Sequence, residues 1–399
     1  MPDQLPNGRH GGPAAVTRVL LVFAAVGAVL AALLTVVGAQ DVVPGRPQAA
    51  PTTTTAEATT TTTTTTTTPP PDPCTVKAAS LTLRHKLAQL LMVGVDPRGS
   101  EDALNVVRAE QVGAIFIGGD ATGLLTGGLD VVRAAATLPL VVAVDDEGGR
   151  VQRVEMLDGD MPSARRMAQD MSPEQVRALA RDRSTALRNR GVTMDLAPVL
   201  DISAQPDDAV IGDRSFSPDP ATAATYAQAF AEGLRDAGTT PVLKHFPGHG
   251  NASGDSHQGA VTSPPLDALR QADLLPYRDI GRYGPVVVML GHIDVPGLTG
   301  GLPATLSPEA YGLLRGEYRF GGPAMTDDLG AMRAVTDRVD LPEAVRLALA
   351  AGADIALWST GGRTGEVLDH LEASAASGTL PAARVDEAAR RVLAMKGAC

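Results

Sequence analysis

Pro241-Val242-Leu243-Lys244-His245-Phe246-Pro247-Gly248-His249-Gly250 begins as a short apolar strand and breaks into a polar loop, with Asp255-Ser256-His257 close behind. Strand formers stop abruptly; glycines, a proline, three histidines and an aspartate take their place. Titratable groups crowded on a loop that leaves a rigid strand end mark a site rather than a connector. A polar turn with one or two structural histidines is the plainer reading, and it does not need this density.

The same pattern, an apolar run that ends in charge, recurs along the chain. Strand candidates are Leu91–Val95, Ala114–Ile117, Leu140–Val144, Met194–Val199, Pro241–Leu243, Val286–Leu290, Ala324–Thr326 and Ile355–Trp358. Helical periodicity lies between and after them, over Pro173–Arg190, Ala221–Asp236, Leu266–Ile280, Pro308–Tyr318, Leu341–Ala351 and Ala382–Met395. Strands alternating with helices imply parallel pairing. Eight of them predict an α/β fold, a single (β/α)8 TIM-like barrel over residues 74–399. A doubly wound open sheet is the alternative, but no Gly-rich phosphate fingerprint follows the first strand. In a barrel, active sites gather at the carboxyl ends of the strands. There the third candidate delivers Asp145-Asp146-Glu147-Gly148-Gly149-Arg150-Val151-Gln152-Arg153. The fourth runs into Asp201 and Gly212-Asp213-Arg214, the sixth into Gly291-His292-Ile293-Asp294, and the seventh into Thr326-Asp327-Asp328-Leu329. Any one of these could be a solvated ion pair; five on one rim point to chemistry.

Asp-x-Glu-Gly-Gly-Arg-Val-x-Arg, Lys-His-Phe-Pro-Gly-His-Gly, Asp-Ser-His and Thr-Asp-Asp-Leu, in this order, resemble glycoside hydrolase family 3 in its β-N-acetylglucosaminidase branch, from about Leu81 to Lys396. The resemblance implies a retaining exo-acting hydrolase that removes terminal N-acetylglucosamine, typically from cell-wall fragments. It implies Asp327 as nucleophile, His257 as general acid/base and Asp255 as the partner of His257. It makes Asp145, Arg153, Arg214, Lys244 and His245 the sugar-binding residues. Asp146 departs from the family pattern, which often has an uncharged residue there, and is expected to bring negative charge near the sugar hydroxyls. Relatives with a second α/β domain carry it after the barrel, and the residues that follow the last motif here are expected to be too few for one.

The residue chemistry agrees. Retention needs a carboxylate beneath the anomeric carbon and a proton donor at the leaving oxygen. Asp327 at a strand end has the rigidity for attack. Asp328, pointing elsewhere by strand alternation, reads as a structural acceptor. His257 lies two residues past Asp255, a carboxylate able to hold one ring nitrogen and raise basicity. The glycines from Gly248 to Gly254 are expected to let this pair swing. Lys244, Arg153 and Arg214 suit donation to hydroxyls and an acetamido oxygen, and Asp145 suits accepting from a hydroxyl pair. A salt bridge from Arg214 to Asp213 or Asp201 is the plainer role. His249 and His292 read as shaping residues, and His85 and His370 as surface residues on helices.

Composition narrows the class. Net charge of -11 with 34 Lys+Arg argues against a nucleic-acid partner. Arg9 and Arg18 precede an uncharged apolar run over residues 19–39, long enough to span a bilayer. It reads as an anchor whose positive flank, residues 1–18, stays in the cytoplasm. Val37-Gly38-Ala39 offers a cleavage site instead, which would leave the protein secreted. Residues 40–73, with Thr59 through Thr68 unbroken, predict a disordered Thr/Pro-rich linker. The membrane is met only through the anchor, a monomer is expected, and no cofactor or metal is implied. Cys74 and Cys399 bracket the folded part and, in an oxidising compartment, are expected to pair.

Three rival activities use the same residues. A metal-dependent hydrolase could employ His245, His249, His257 and Asp327, but no His-x-His pair follows the first strand. A non-catalytic wall-binding module has no use for Asp327, Asp255 and His257 together. Phosphorolysis is the third, since a histidine acid/base does not repel phosphate as a carboxylate does.

Overall fold

The computed structural model describes residues 72–120 and 122–399. The expected cytoplasmic tail, anchor and most of the linker lie outside the described residues. Among the described residues no helix is long and apolar enough to cross a membrane.

Eight short strands form the centre: β1 Leu91–Gly94, β2 Ala114–Phe116, β3 Val141–Val144, β4 Met194–Asp195, β5 Thr240–Phe246, β6 Val287–Leu290, β7 Ala324–Thr326 and β8 Ala356–Trp358. They pair in parallel in the order β8-β1-β2-β3-β4-β5-β6-β7. Met325 opposite Ile355, with Thr326 N donating to Ile355 O at 3.0 Å, brings β7 against β8, so the sheet is a nearly closed barrel. Parallel strands covered on both faces need apolar residues at every position rather than at alternate ones. Val141-Val142-Ala143-Val144 meets this, and all four residues are buried.

The helices cover the barrel through small residues. Pro173–Asn189 starts at a capping box, where the Ser172 hydroxyl and the Gln175 side chain satisfy each other's backbone N–H groups. Pro220–Asp236 starts at Asp219, whose carboxylate accepts from Thr222 N at 2.8 Å. These two helices pack closely because the second turns Ala223, Ala227, Ala231 and Gly233 inward. A Cβ at Gly233 would sit 2.4 Å from Arg177 O. Such contacts explain how a chain with 3% aromatic residues fills its core.

All eight strand candidates lie where the sequence placed them, with ends shifted by a few residues. The largest shift is in the fourth, where regular pairing stops at Asp195 although Val199 still meets Lys244. The helix expected over Leu266–Ile280 is corrected. It ends at Gln271, Ala272 takes φ -137 and ψ -86, and two 3-10 turns, Leu275–Tyr277 and Ile280–Tyr283, come after it. Pro276 lacks the N–H that a continuing helix needs, and the turns instead bury Tyr277 and Tyr283.

The first described helix, Pro73–Ala79, packs on the last, Ala382–Met395, and a disulfide joins Cys74 to Cys399 with a Cα–Cα distance of 5.0 Å. It closes a loop of 325 residues, for which chain entropy gives about 6 kcal/mol before residual structure reduces it. Replacing both cysteines by serine should therefore lower the thermal midpoint by several degrees. Calorimetry in non-reducing buffer checks this; an unchanged midpoint would mean the bridge does not restrain the unfolded chain.

Candidate active site

At the carboxyl ends of the strands lies a cavity of about 420 Å3. Its wall on the β3 side begins with Asp145, which Arg153 holds through two hydrogen bonds, Nε to Oδ1 at 2.5 Å and Nη2 to Oδ2 at 2.8 Å. The chain then doubles back through Gly148 and Gly149, at φ 93 and 59, where side chains are strained. A Cβ on Gly149 would stand 2.6 Å from that of Ser163, so the turn also needs glycine for space. The turn buries Glu147. Its carboxylate receives Arg214 Nε and Nη2, both at 2.7 Å, and stands 2.5 Å from Lys244 Nζ. Burial alone would raise the Glu147 pKa, but the two cations overcome it and hold the group ionised.

The β5 strand supplies Lys244 and His245 to the same cavity. Consecutive strand residues normally face opposite ways; here the pairing with β6 shifts register between Leu243 and Phe246, a bulge that re-aims side chains. Asp201, buried in the segment after β4, holds the two histidines of this stretch in place. Its Oδ2 lies 2.6 Å from His245 Nδ1 and its Oδ1 accepts from His249 N at 2.7 Å. The His245 ring thus has one nitrogen committed to a carboxylate.

Asp327 follows β7 on the cavity floor, and Asp328 N donates to its Oδ1 at 2.8 Å. Burial opposes ionisation, yet His245, His292, that N–H and Lys244 together lower its pKa. The carboxylate is charged at neutral pH. Asp328 also borders the cavity, but its Oδ1 is spent as a structural acceptor, from Gly330 N, Ala331 N and Ser359 N. His292 has both ring nitrogens engaged, by Thr305 Oγ1 at 2.7 Å and Asp328 O at 2.8 Å, so it shapes the floor.

Across the cavity, Asp255 Oδ1 accepts from His257 N at 2.9 Å and lies 2.8 Å from His257 Nδ1. His257 is exposed and Asp255 half-buried, while Ser256 between them is buried. Ser256 O accepts from Ala334 N at 3.0 Å, and its hydroxyl lies 3.5 Å from Met332 Sδ. The loop is thereby fastened to the segment after the Asp327 strand. The glycines of the expected hinge, Gly248 to Gly254, differ in their surroundings. A Cβ at Gly248 would meet Asp273 Cβ at 2.4 Å, and one at Gly250 would meet Ile202 O at 1.8 Å. Both are there for close approach. Gly254 and Gly259, with open space around them, are the loop's free joints.

Asp145, Arg153, Arg214, Lys244, His245, His257 and Asp327 all line this one cavity, with Asp255 behind His257. Neither Asp213 nor Asp201 is the partner of Arg214: Asp213 is taken by Arg150 at 3.1 Å. Asp146 is also corrected. It is fully buried beneath the loop, accepting from Arg153 N at 2.8 Å and facing Arg183 Nε at 3.4 Å, away from the cavity. The sequence reading missed Glu147 and the linking role of Asp201. A lone acid between Asp145 and the paired glycines was the available signal for Glu147.

Comparison with known families fits this geometry. The model described as Glycosyl hydrolase family 3 N terminal domain matches residues 82–395. The chain belongs to glycosyl hydrolase family 3. Within the family it is 52% identical over 327 residues to the beta-hexosaminidase LpqI of Mycobacterium tuberculosis, covering 80% of this chain and 84% of that one. A beta-hexosaminidase of Alkalilimnicola ehrlichii is 38% identical over 236 residues, or 57% of this chain and 67% of the relative. The solved structure of M. tuberculosis LpqI superposes with a TM-score of 0.78, at 51% identity over 81% of this chain and 96% of that one. A beta-N-acetylhexosaminidase from Beutenbergia cavernae gives 0.73, at 32% identity over 80% and 99%.

Asp273 anchors the near end of the loop that carries Asp255 and His257, its two oxygens accepting from Asn251 Nδ2 at 3.1 and 3.2 Å. Burial pushes its pKa up to about 6, the Asn251 bond opposing. A carboxyl whose folded pKa lies above its unfolded value contributes stability fully present below the unfolded pKa and lost as pH rises through the folded one. Asp273→Asn should thus stabilise the enzyme relative to wild type at pH 7.5 by on the order of 2 kcal/mol, with the difference fading by pH 4. Urea titrations at the two pH values measure it; a variant less stable at both would show that the charged carboxylate is the better anchor.

Proposed function

We propose that this chain is a retaining exo-β-N-acetylglucosaminidase that removes terminal β-linked N-acetylglucosamine from peptidoglycan fragments. One observation carries the reading: an ionised carboxylate, Asp327, and a histidine backed by a carboxylate, His257 with Asp255, face one cavity whose other polar walls are mostly donors. Asp327 attacks the anomeric carbon while His257 protonates the leaving oxygen, leaving a glycosyl ester on Asp327. His257, now the base, takes a proton from the incoming water, and the ester opens with a second inversion. Asp255 holds Nδ1 so that Nε2 is the nitrogen that exchanges protons, which makes it a positioning residue. Asp145 accepts from a pair of sugar hydroxyls. Lys244, Arg214 and Arg153, each already braced by a carboxylate, donate without reorganising.

Similarity to LpqI and to bacterial beta-hexosaminidases supports the sugar specificity. The tether read at residues 19–39 and the linker behind it support peptidoglycan fragments as substrate and an extracytoplasmic location. In this reading the head works as a monomer outside the membrane, and water is the acceptor. Product analysis on purified peptidoglycan fragments, with and without phosphate, tests bond, substrate and acceptor together. A 1-phosphate sugar as the main product would replace hydrolysis by phosphorolysis.

The nucleophile is tested first. A slow fluorosugar should label Asp327, the first-formed product should keep the β configuration, and Asp327→Ala should lose several orders of magnitude in kcat/KM with unchanged circular dichroism. Appearance of the α product first by proton NMR would refute the mechanism. His257→Ala should slow release of alkyl or sugar leaving groups about a hundredfold or more, yet spare activated aryl groups, which barely need protonation. Asp255→Ala should repeat the pattern more mildly. Equal losses on both substrate classes would make His257 a binding residue.

A further inference from the structure

A second cavity of about 890 Å3, larger than the catalytic one, lies on the other end of the barrel. Thr239 and Thr240 at the start of β5, Val286 just before β6 and Pro323 just before β7 place it at the amino-terminal face. No residue assigned a catalytic or sugar-binding role touches it. Ile280, Val286, Phe320 and Met395 give it apolar wall, and its volume suits a compact organic ligand.

Its charge runs against that of the chain. Arg235, Arg278, Arg319 and Arg391 line it, with Asp279 as the lining acid, in a protein of net charge -11. Arg391 is committed to Asp354 and Glu387 at 3.2 and 2.6 Å. Arg235 donates to the backbone carbonyl of Tyr283, a neutral partner, and burial lowers its pKa. Arg278 and Arg319 make no ion pair among the described residues. The other acids nearby are held elsewhere, Glu317 by Arg270 and both Glu232 and Asp236 by Arg177. Arg278 and Arg319 are thus unpaired, Arg235 is offset in part by Glu232 and Asp236, which share the single cation Arg177, and the cavity is lined by more cations than acids. Arg319 adds a second observation, because it stands at φ 51, a left-handed conformation that glycine adopts freely and arginine does not. Backbone held off its preferred conformation concentrates at sites, and this turn keeps a cation at the rim.

We propose that this cavity binds a small phosphate monoester with an apolar body. An anion suits the unpaired Arg278 and Arg319, and guanidinium forks fit phosphate oxygens. Arg278, Arg319 and Arg235 take the phosphate, while Phe320 and Val286 take the body. The site is separate from the catalytic cavity and stands whether or not the sugar assignment does.

The test is calorimetric titration of the full chain with 1-naphthyl phosphate, with N-acetylglucosamine saturating the active site. Saturable binding in the micromolar range is expected, with inorganic phosphate at least about tenfold weaker. The double variant Arg278→Ala, Arg319→Gly should weaken 1-naphthyl phosphate at least about tenfold, the scale of a lost charge-assisted contact. Arg319→Gly suits the left-handed backbone, so the fold is kept, and hydrolysis of an aryl N-acetylglucosaminide should be unchanged. No saturable binding at millimolar ligand overturns the proposal. So does equal binding by wild type and variant, and so does inorganic phosphate binding as tightly as the ester.

Discussion

A buried carboxylate between a buried lysine and a half-buried arginine organises the carboxyl end of this barrel. Glu147 comes from the loop after β3, Arg214 from the loop after β4 and Lys244 from β5 itself. None of the three could be buried alone, because a desolvated unpaired charge costs several kcal/mol. Together they tie three adjacent segments into one wall of the cavity. Removing Glu147 would leave both cations without this partner, so the wall depends on it most of all. The two cations also keep fixed positions before any ligand arrives, which is the condition for electrostatic catalysis without reorganisation.

Asp201 does similar work for the histidines, and the contrast with the opposite wall is physical. The side formed by Asp145, Glu147, Asp201 and Asp327 is largely buried and multiply hydrogen-bonded. The side formed by Asp255 and His257 is a more open loop held by Ser256 and, at its near end, by Asp273. In the mechanism proposed above the nucleophile needs a fixed position, whereas the acid/base has to let an entering and a departing group pass. The fold provides one buried, multiply bonded wall and one more exposed to solvent.

Much of this was legible before any coordinates. Apolar runs ending in charge located all eight strands, because parallel barrel strands must be apolar at every position while their carboxyl ends meet solvent and substrate. The motifs placed Asp145, Arg153, Arg214, Lys244, His245, His257 and Asp327, which the structure gathers around one cavity. The features that escaped depended on partners distant in sequence. Glu147 was read as part of a motif and not as the mate of Arg214, since nothing local says which carboxylate a guanidinium will meet across 67 residues. Asp146 was expected at the sugar because its neighbour is there; the turn through Gly148 sends it underneath instead. Gly248 and Gly250 were read as joints, and only their surroundings show that the space, rather than the flexibility, is their contribution. The Leu266–Ile280 helix was overcalled because its apolar spacing outweighed Pro276.

The bridge between Cys74 and Cys399 has a mechanical side. The helix Pro73–Ala79 is seven residues long and rests on one neighbour, so a pull on the chain ahead of it would peel it away one hydrogen bond at a time. With the covalent link, such a load bypasses that helix and enters the fourteen-residue helix Ala382–Met395, whose inner face is buried along its length. Load is then borne in shear across many contacts at once rather than in sequence. Tension on the head would therefore leave the barrel, and the site at its far end, undisturbed.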